Sequence, residues 1–256
     1  LTLLSAVNSY AQKDMERLDT HQEIICYAAE KSAGTRVFQR LTSPYGRSPY
    51  SANLTAGTQQ TGATIEVTYN GFSEDAQLAF QKAIDIWSEL ISSDVVIHVN
   101  ATWQQLDEGT LGSAIWNTAY RNFDGAKEAD VWYPVALAEK MAGKDLNSPD
   151  DADIVANFNK DAPWYLGTDG NTSVGEFDLV SVVLHELGHG LGFIDSFDYN
   201  EDNSMGSVGL QNFSFIFDLS VENSAGDNLN DFTNNSIELG TALTSGSVFF
   251  NSPTAV

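Results

Sequence analysis

The chain has 256 residues, 42% hydrophobic and 18% charged, which excludes a disordered segment and leaves ample material for a core. Its 35 acidic against 12 basic residues give a net charge of −23, a surface that repels nucleic acid and anionic membranes. The solvated face of a secreted protein explains that charge, and acidic loops can also attract cations such as calcium.

The single cysteine, Cys26, excludes an internal disulfide. "LTLLSAVNSYAQ" reads as the back half of a signal peptide. Leu1 to Val7 ends an apolar region, and Ser9-Tyr10-Ala11 fits a small-x-small cleavage pattern with a cut before Gln12. Residues 1–11 are therefore expected to be a signal-peptide remnant and the chain secreted, against the plainer reading of a buried N-terminal segment. No other apolar run is long enough to span a bilayer, so no membrane span is expected.

Residues 12–31 are helix-compatible, with Ile24, Ile25 and Ala28 able to share one side. Residues 32–63 are rich in Ser, Thr, Gly, Pro and Tyr. Together residues 12–62 read as a leader, a pro-segment or an extended arm. A domain of residues 63–256 follows, expected to be truncated at its C-terminus because "SGSVFFNSPTAV" carries a strand-like stretch almost to the last residue.

That domain opens with "ATIEVTYNGF", in which Ile65, Val67 and Tyr69 alternate with polar residues as in a half-buried strand. Ser73 is placed to cap a helix whose first turn holds Glu74 and Asp75. Ala76, Ala79, Phe80, Ala83, Trp87, Leu90 and Ile91 form the core stripe of that helix. "VVIHVNATW" is a second strand, residues 106–130 are mixed and loop-rich, and "YPVALAEKMAG" is a short helix ending at Gly143. "DLNSPDDAD" is an acidic turn and "DIVANFN" a third strand, followed by a loop from Gly167 to Thr172.

Ser173-Val174-Gly175-Glu176 matches a capping box and predicts a helix start. Leu179, Val183, Leu187 and Leu191 then recur every four residues as a buried stripe. His185 and His189 are also four apart. Both rings therefore leave one side of the helix, about 6 Å apart along its axis and roughly opposite the leucines. Two histidines so placed can bind one zinc ion, and Glu186 beside them can reach a metal-bound water without being a ligand. A catalytic zinc usually takes a third protein ligand. Gly192 can end the helix and reverse the chain, swinging Asp195 back toward the metal. Alternatively Asp195 is a simple helix-end carboxylate, and a residue outside the chain or Glu201 completes the set.

"HELGHGLGFID" resembles the signature of the metzincin clan of zinc metalloendopeptidases, in the variant with aspartate as third ligand. The resemblance covers about residues 63–195. It implies an α+β fold: a mixed twisted sheet, a backing helix, an active-site helix and a smaller irregular C-terminal part. It also implies zinc on His185, His189 and Asp195, with Glu186 as general base. "FSFIFDLSVENSAGDNLNDFTNNS" resembles, more weakly, secreted bacterial zinc proteases that carry a protease-associated insert. The clan places a methionine turn beneath its metal. Met205, in "NSMGS", is the candidate here, against a turn beyond Val256 or ordinary core packing.

The resulting expectation is a secreted zinc endopeptidase; read as a zymogen, it would place the Cys26 thiolate in the fourth zinc position of a latent form. Otherwise Cys26 is a small buried residue, or one paired with a cysteine outside this sequence. "DYNEDNS", from Asp198 to Ser204, is a candidate calcium loop or simply a turn. His98 reads as a structural strand residue. Protein or peptide substrates are the expected partners. The rival readings are a non-catalytic zinc-containing binding or adhesion module and a zinc hydrolase of non-peptide substrates.

Overall fold

The computed structural model describes residues 14–19, 24–27 and 62–252, with residues 24–27 described as a strand only. The expected signal-peptide remnant lies outside the described residues. In chain order the elements are β1 (Glu16–Leu18), β2 (Ile24–Tyr27), β3 (Ile65–Asn70), α1 (Glu74–Leu90), β4 (Ile97–Gln104), β5 (Thr110–Trp116), β6 (Ala119–Arg121), β7 (Tyr133–Pro134) and α2 (Val135–Ala142). There follow β8 (Ile154–Asn159), β9 (Trp164–Tyr165), β10 (Phe177–Asp178), α3 (Leu179–Gly190), β11 (Phe197–Asn200), β12 (Met205–Val208), β13 (Val221–Asn223), α4 (Ile237–Leu243) and β14 (Val248–Phe250). The architecture is mixed α+β, with several small sheets beside one larger sheet. No helix among the described residues is long and apolar enough to cross a membrane.

The chain divides into two compact units, each assembled from separated segments. One comprises Glu23–Ala114 and Ala156–Glu186. The five-stranded sheet, ordered β2-β5-β8-β4-β3, belongs mainly to it. β3 and β4 are parallel, from Ile65↔Ile97 to Asn70↔Thr102, and α1 is the crossover that a parallel pair requires. β3 alternates half-buried with exposed residues, as its period-2 sequence predicts. Ser73 caps α1 by accepting from the Ala76 N–H at 3.2 Å, and Ala76, Ala79, Phe80, Ala83 and Ile84 are buried. Leu90, expected in that stripe, is instead 44% exposed. Phe80 meets Tyr69, Phe72 and Phe158 edge-on, with centroids 5.3–5.6 Å apart. Its complete burial stabilises the unit by about 2–3 kcal/mol.

The other unit comprises Leu1–Gln22, Ile115–Val155 and Leu187–Val256. Its small sheets are β1-β6-β7, the hairpin β11-β12, and β13-β14. α2 ends where expected: Gly143 takes φ +65° and its N–H closes on the Glu139 carbonyl at 2.8 Å. One core cluster gathers Tyr120, Phe123, Val131, Tyr133, Val135 and Ala138. Another gathers Val208, Val221, Leu229 and Leu239.

Two expectations are corrected and one is refined. The described part of residues 12–31, namely 14–19 and 24–27, carries strands and not a helix. β1 pairs antiparallel with β6 from Glu16↔Arg121 to Leu18↔Ala119, and Ile24–Tyr27, rich in β-branched and aromatic residues, joins the edge of the large sheet against β5. Residues 106–130, expected to be mixed and loop-rich, are mostly turns and loops but also hold two strands, β5 and β6. β5 has buried neighbours on both sides of its chain, so it lacks the alternation that marks a half-buried strand. The capping-box motif at residues 173–176 does not start a helix. Gly175 takes φ +95° in a turn, β10 then pairs parallel with β9, and α3 begins only at Leu179. Asp178, just before it, accepts from the Ser181 hydroxyl.

Between α2 and the acidic turn, Glu139 of the helix is 2% exposed and Asp153 of the turn 1%. Glu139 accepts the N–H groups of Leu146 and Asn147, and Asn147 Nδ2 donates to Asp153. Burial pushes the Glu139 carboxyl up to about 7, the two N–H donors pull it down, and Asp153 and Asp145 add to the rise. The folded chain thus holds a proton that the unfolded chain releases nearer pH 4.5. The stability it confers is present in full below about 4.5 and is lost as pH rises through about 7, by at most about 3 kcal/mol. Glu139→Gln should flatten the fall in Tm between pH 5 and 8; an unchanged pH profile would show that another group causes it.

Candidate metal centre

α3 runs unbroken from Leu179 to Gly190 and carries His185, Glu186 and His189. The division between the two units falls within it, after Glu186. Leu179, Val182, Val183 and Leu187 are all at most 1% exposed, so one face of the helix is sealed. His185 is exposed and His189 half-buried, as expected for a face turned from the leucines. Glu186 is fully buried. In the unit that holds the first part of α3, the Trp87 indole of α1 donates to the Leu184 carbonyl at 3.1 Å. That bond fixes the turn immediately before His185, and nothing in the sequence pattern signals it.

The end of α3 is closed by two hydrogen bonds. Phe193 N–H reaches back to the Gly188 carbonyl at 2.9 Å, and Gly192 N–H to the His189 carbonyl at 3.1 Å. This is the six-to-one and five-to-two pairing of a Schellman closure, which needs a positive φ at the reversing residue. Gly192 supplies it at +118°. Gly190 meets a second demand, because a Cβ there would lie 2.5 Å from the Ile154 side chain. Gly192→Ala should cost about 1–3 kcal/mol through backbone strain. A Tm equal to that of the wild type would show that the turn tolerates a side chain.

The reversal brings Phe193 back over the last helical turn. His189 Nδ1 lies 2.8 Å from the Phe193 carbonyl oxygen. A carbonyl can only accept, so Nδ1 carries the proton and the lone pair of the neutral ring sits on Nε2. A second-shell carbonyl commonly orients a metal-binding imidazole in this way. Asp195 is on the exposed side of the turn, and its Oδ1 accepts the Phe197 N–H at 2.9 Å. Its carboxyl is nevertheless raised above the ordinary value. Desolvation by the surrounding chain is the largest cause, while the Phe197 N–H and His189 act to lower it.

The donor types fit zinc: two imidazoles, one of defined tautomer, a carboxylate on the following turn, and a further carboxylate beside the first imidazole. They are not gathered into a finished cage. Among the described residues, no three His, Cys, Asp or Glu side chains form a group that could hold a metal ion. Asp195 Oδ1 is engaged by the Phe197 N–H. Met205 opens β12 in the hairpin, opposite Asn200. Glu201 lies in the exposed turn of that hairpin. The candidate calcium segment spans β11 and the same turn, where Asn200 Oδ1 accepts from the N–H groups of Asp202 and Asn203. Cys26 falls within β2, where no side chain is described. His98 is on β4, 3.9 Å from Glu66 across the β3–β4 pair.

The sequence model of a family described as SPBPB7E8-like matches residues 67–213, more than half of the chain and all of the His185–Asp195 motif. The chain belongs to the SPBPB7E8-like family. A relative from the fission yeast Schizosaccharomyces pombe, "Uncharacterized protein PB7E8.01", is 39% identical over 62 residues. That stretch is 24% of this chain and 11% of the yeast protein, so the match spans a small part of that relative. No solved structure matches the chain at a significant level.

Proposed function

We propose that this member of the SPBPB7E8-like family is a secreted zinc-dependent endopeptidase of metzincin type. The observation that carries the reading is the continuous helix bearing His185, Glu186 and His189, closed at Gly192 so that the Phe193 carbonyl orients His189. His185, His189 and Asp195 would hold the metal. Zinc, when bound, supplies a water of lowered pKa and polarises the scissile carbonyl.

The chain's own residues do the rest. Glu186 accepts a proton from the attacking water and hands it to the leaving amine, a role open to it because it is not a ligand. The Phe193 carbonyl keeps the His189 proton on Nδ1 and so keeps Nε2 available for the metal. The sealed leucine face fixes α3, so the donors it carries share one rigid element. A peptide substrate would lie extended and pair through its main chain with a sheet edge.

Casein cleavage by the full chain tests the reading. Cleavage should vanish on treatment with a zinc chelator and return when zinc is added back. Cleavage indifferent to the chelator would remove the metal from the mechanism. A zinc-loaded chain that cleaves no peptide bond would point instead to a binding module or a hydrolase of other substrates.

A further inference from the structure

We propose that Asp218 is a positioning residue that fixes the segment bearing Asp195, the one zinc ligand that lies off the helix. This inference rests on the zinc reading above. The two histidines are held by α3, whereas Asp195 is only as well placed as the chain that follows Gly192.

That chain is gripped on both sides of Asp195 by two adjacent residues. On the far side, Asp218 takes both polar groups of Ser196: the backbone N–H at 2.9 Å and the hydroxyl at 2.5 Å. The same carboxylate accepts the Phe215 N–H at 2.7 Å, which closes its own turn. The Ser196 hydroxyl in turn accepts the Gly209 N–H at 2.9 Å. On the near side, the Phe217 ring meets the Phe193 ring at 5.0 Å and stacks on Phe250 at 4.5 Å. Phe193 is the residue whose carbonyl orients His189. Phe217 and Asp218 therefore hold residues 193 and 196, and Asp195 is suspended between them.

Asp218 is fully buried. A carboxylate in the interior is costly unless donors surround it, and a purely structural role is met more cheaply by an apolar side chain. Here three donors converge on it, two of them from the residue next to the candidate ligand. Such a polar cluster, once satisfied, is rigid and fixes one backbone path. Nothing in the sequence pattern singles Asp218 out within "IFDLS".

Asp218→Asn keeps the volume, but its amide nitrogen cannot accept an N–H. Zinc affinity, measured on the full chain by competition with a chelator, should fall about 10–100-fold, the usual cost of losing an outer-shell partner. The absorption spectrum of the cobalt-loaded variant should shift toward that of Asp195→Ala. Combined with Asp195→Ala, it should add little further loss, since both act through one ligand. Thr241→Ala, which removes a donor to the Ile237 carbonyl on the exposed side of α4 in the same unit, should leave affinity and spectrum unchanged. If Asp218→Asn fails to fold, Ser196→Ala should show a smaller loss in the same direction. Wild-type affinity and spectrum in Asp218→Asn, or in Ser196→Ala where that is the folded variant, would overturn the positioning role while leaving the zinc reading intact. A wild-type chain that takes up no zinc would sink the zinc reading first, and this role with it.

Discussion

Glu186→Ala is expected to lower casein cleavage by about 10²–10⁴-fold while zinc content stays at the wild-type level. The two readouts separate because Glu186 is assigned the proton and not the metal. Its neighbour His185 is exposed, whereas Glu186 is fully buried on the same turn of α3. A buried carboxylate removed to alanine also leaves a cavity, so Glu186→Gln is the companion variant: it keeps the volume and removes the base. Loss of cleavage in both, with zinc retained in both, assigns Glu186 to the chemistry. Full cleavage in Glu186→Gln would take Glu186 out of the mechanism, and loss of zinc in both would make it a ligand or a support for one.

Gly240→Ala should destabilise the unit that contains it by about 2 kcal/mol. α4 packs so tightly on the hairpin that a Cβ at Gly240 would lie 2.3 Å from the Ser204 carbonyl oxygen and 2.9 Å from the Gly206 nitrogen. These are backbone atoms and cannot rotate aside. Gly206 faces the same approach from the other side, where its own Cβ would meet the Gly240 nitrogen at 2.6 Å. Alanine improves helix propensity by about 1 kcal/mol, but overpacking against backbone costs about 3 kcal/mol, so the clash wins. The Tm of the unit containing Gly240 should fall by several degrees. A Tm at or above the wild-type value would mean that α4 can move off the hairpin freely.

The parts of the fold that were legible in the sequence are those governed by local rules. Ser73 caps α1 and Gly143 ends α2 because caps depend on a few neighbouring residues. Ile65, Val67 and Tyr69 alternate because one face of β3 is covered. β5 was hidden for the opposite reason: a strand between two others, covered on both sides, mixes small, polar and apolar residues without a period-2 pattern. β1 and β2 exist through partners roughly a hundred residues away, such as Arg121 for Glu16, and no local pattern encodes them. The capping-box reading at Ser173 failed because Gly175 and the pairing of Phe177 with Trp164 offered the backbone a better alternative.

The candidate metal centre divides along the same line. The spacing of His185, Glu186 and His189, and the glycine after them, are properties of one helix and its end, and were readable as such. The Phe193 carbonyl behind His189, the Trp87 indole on Leu184 and the Asp218 anchor on Ser196 all depend on how the chain returns upon itself. No periodicity announces such contacts.

Zinc content of the purified full chain, measured beside His185→Ala and His189→Ala, tests the central claim most directly. The wild type should retain about one zinc per chain through exhaustive dialysis, and each variant should lose it. A wild type without zinc when supplied with it, or variants that keep it undiminished, would contradict the account.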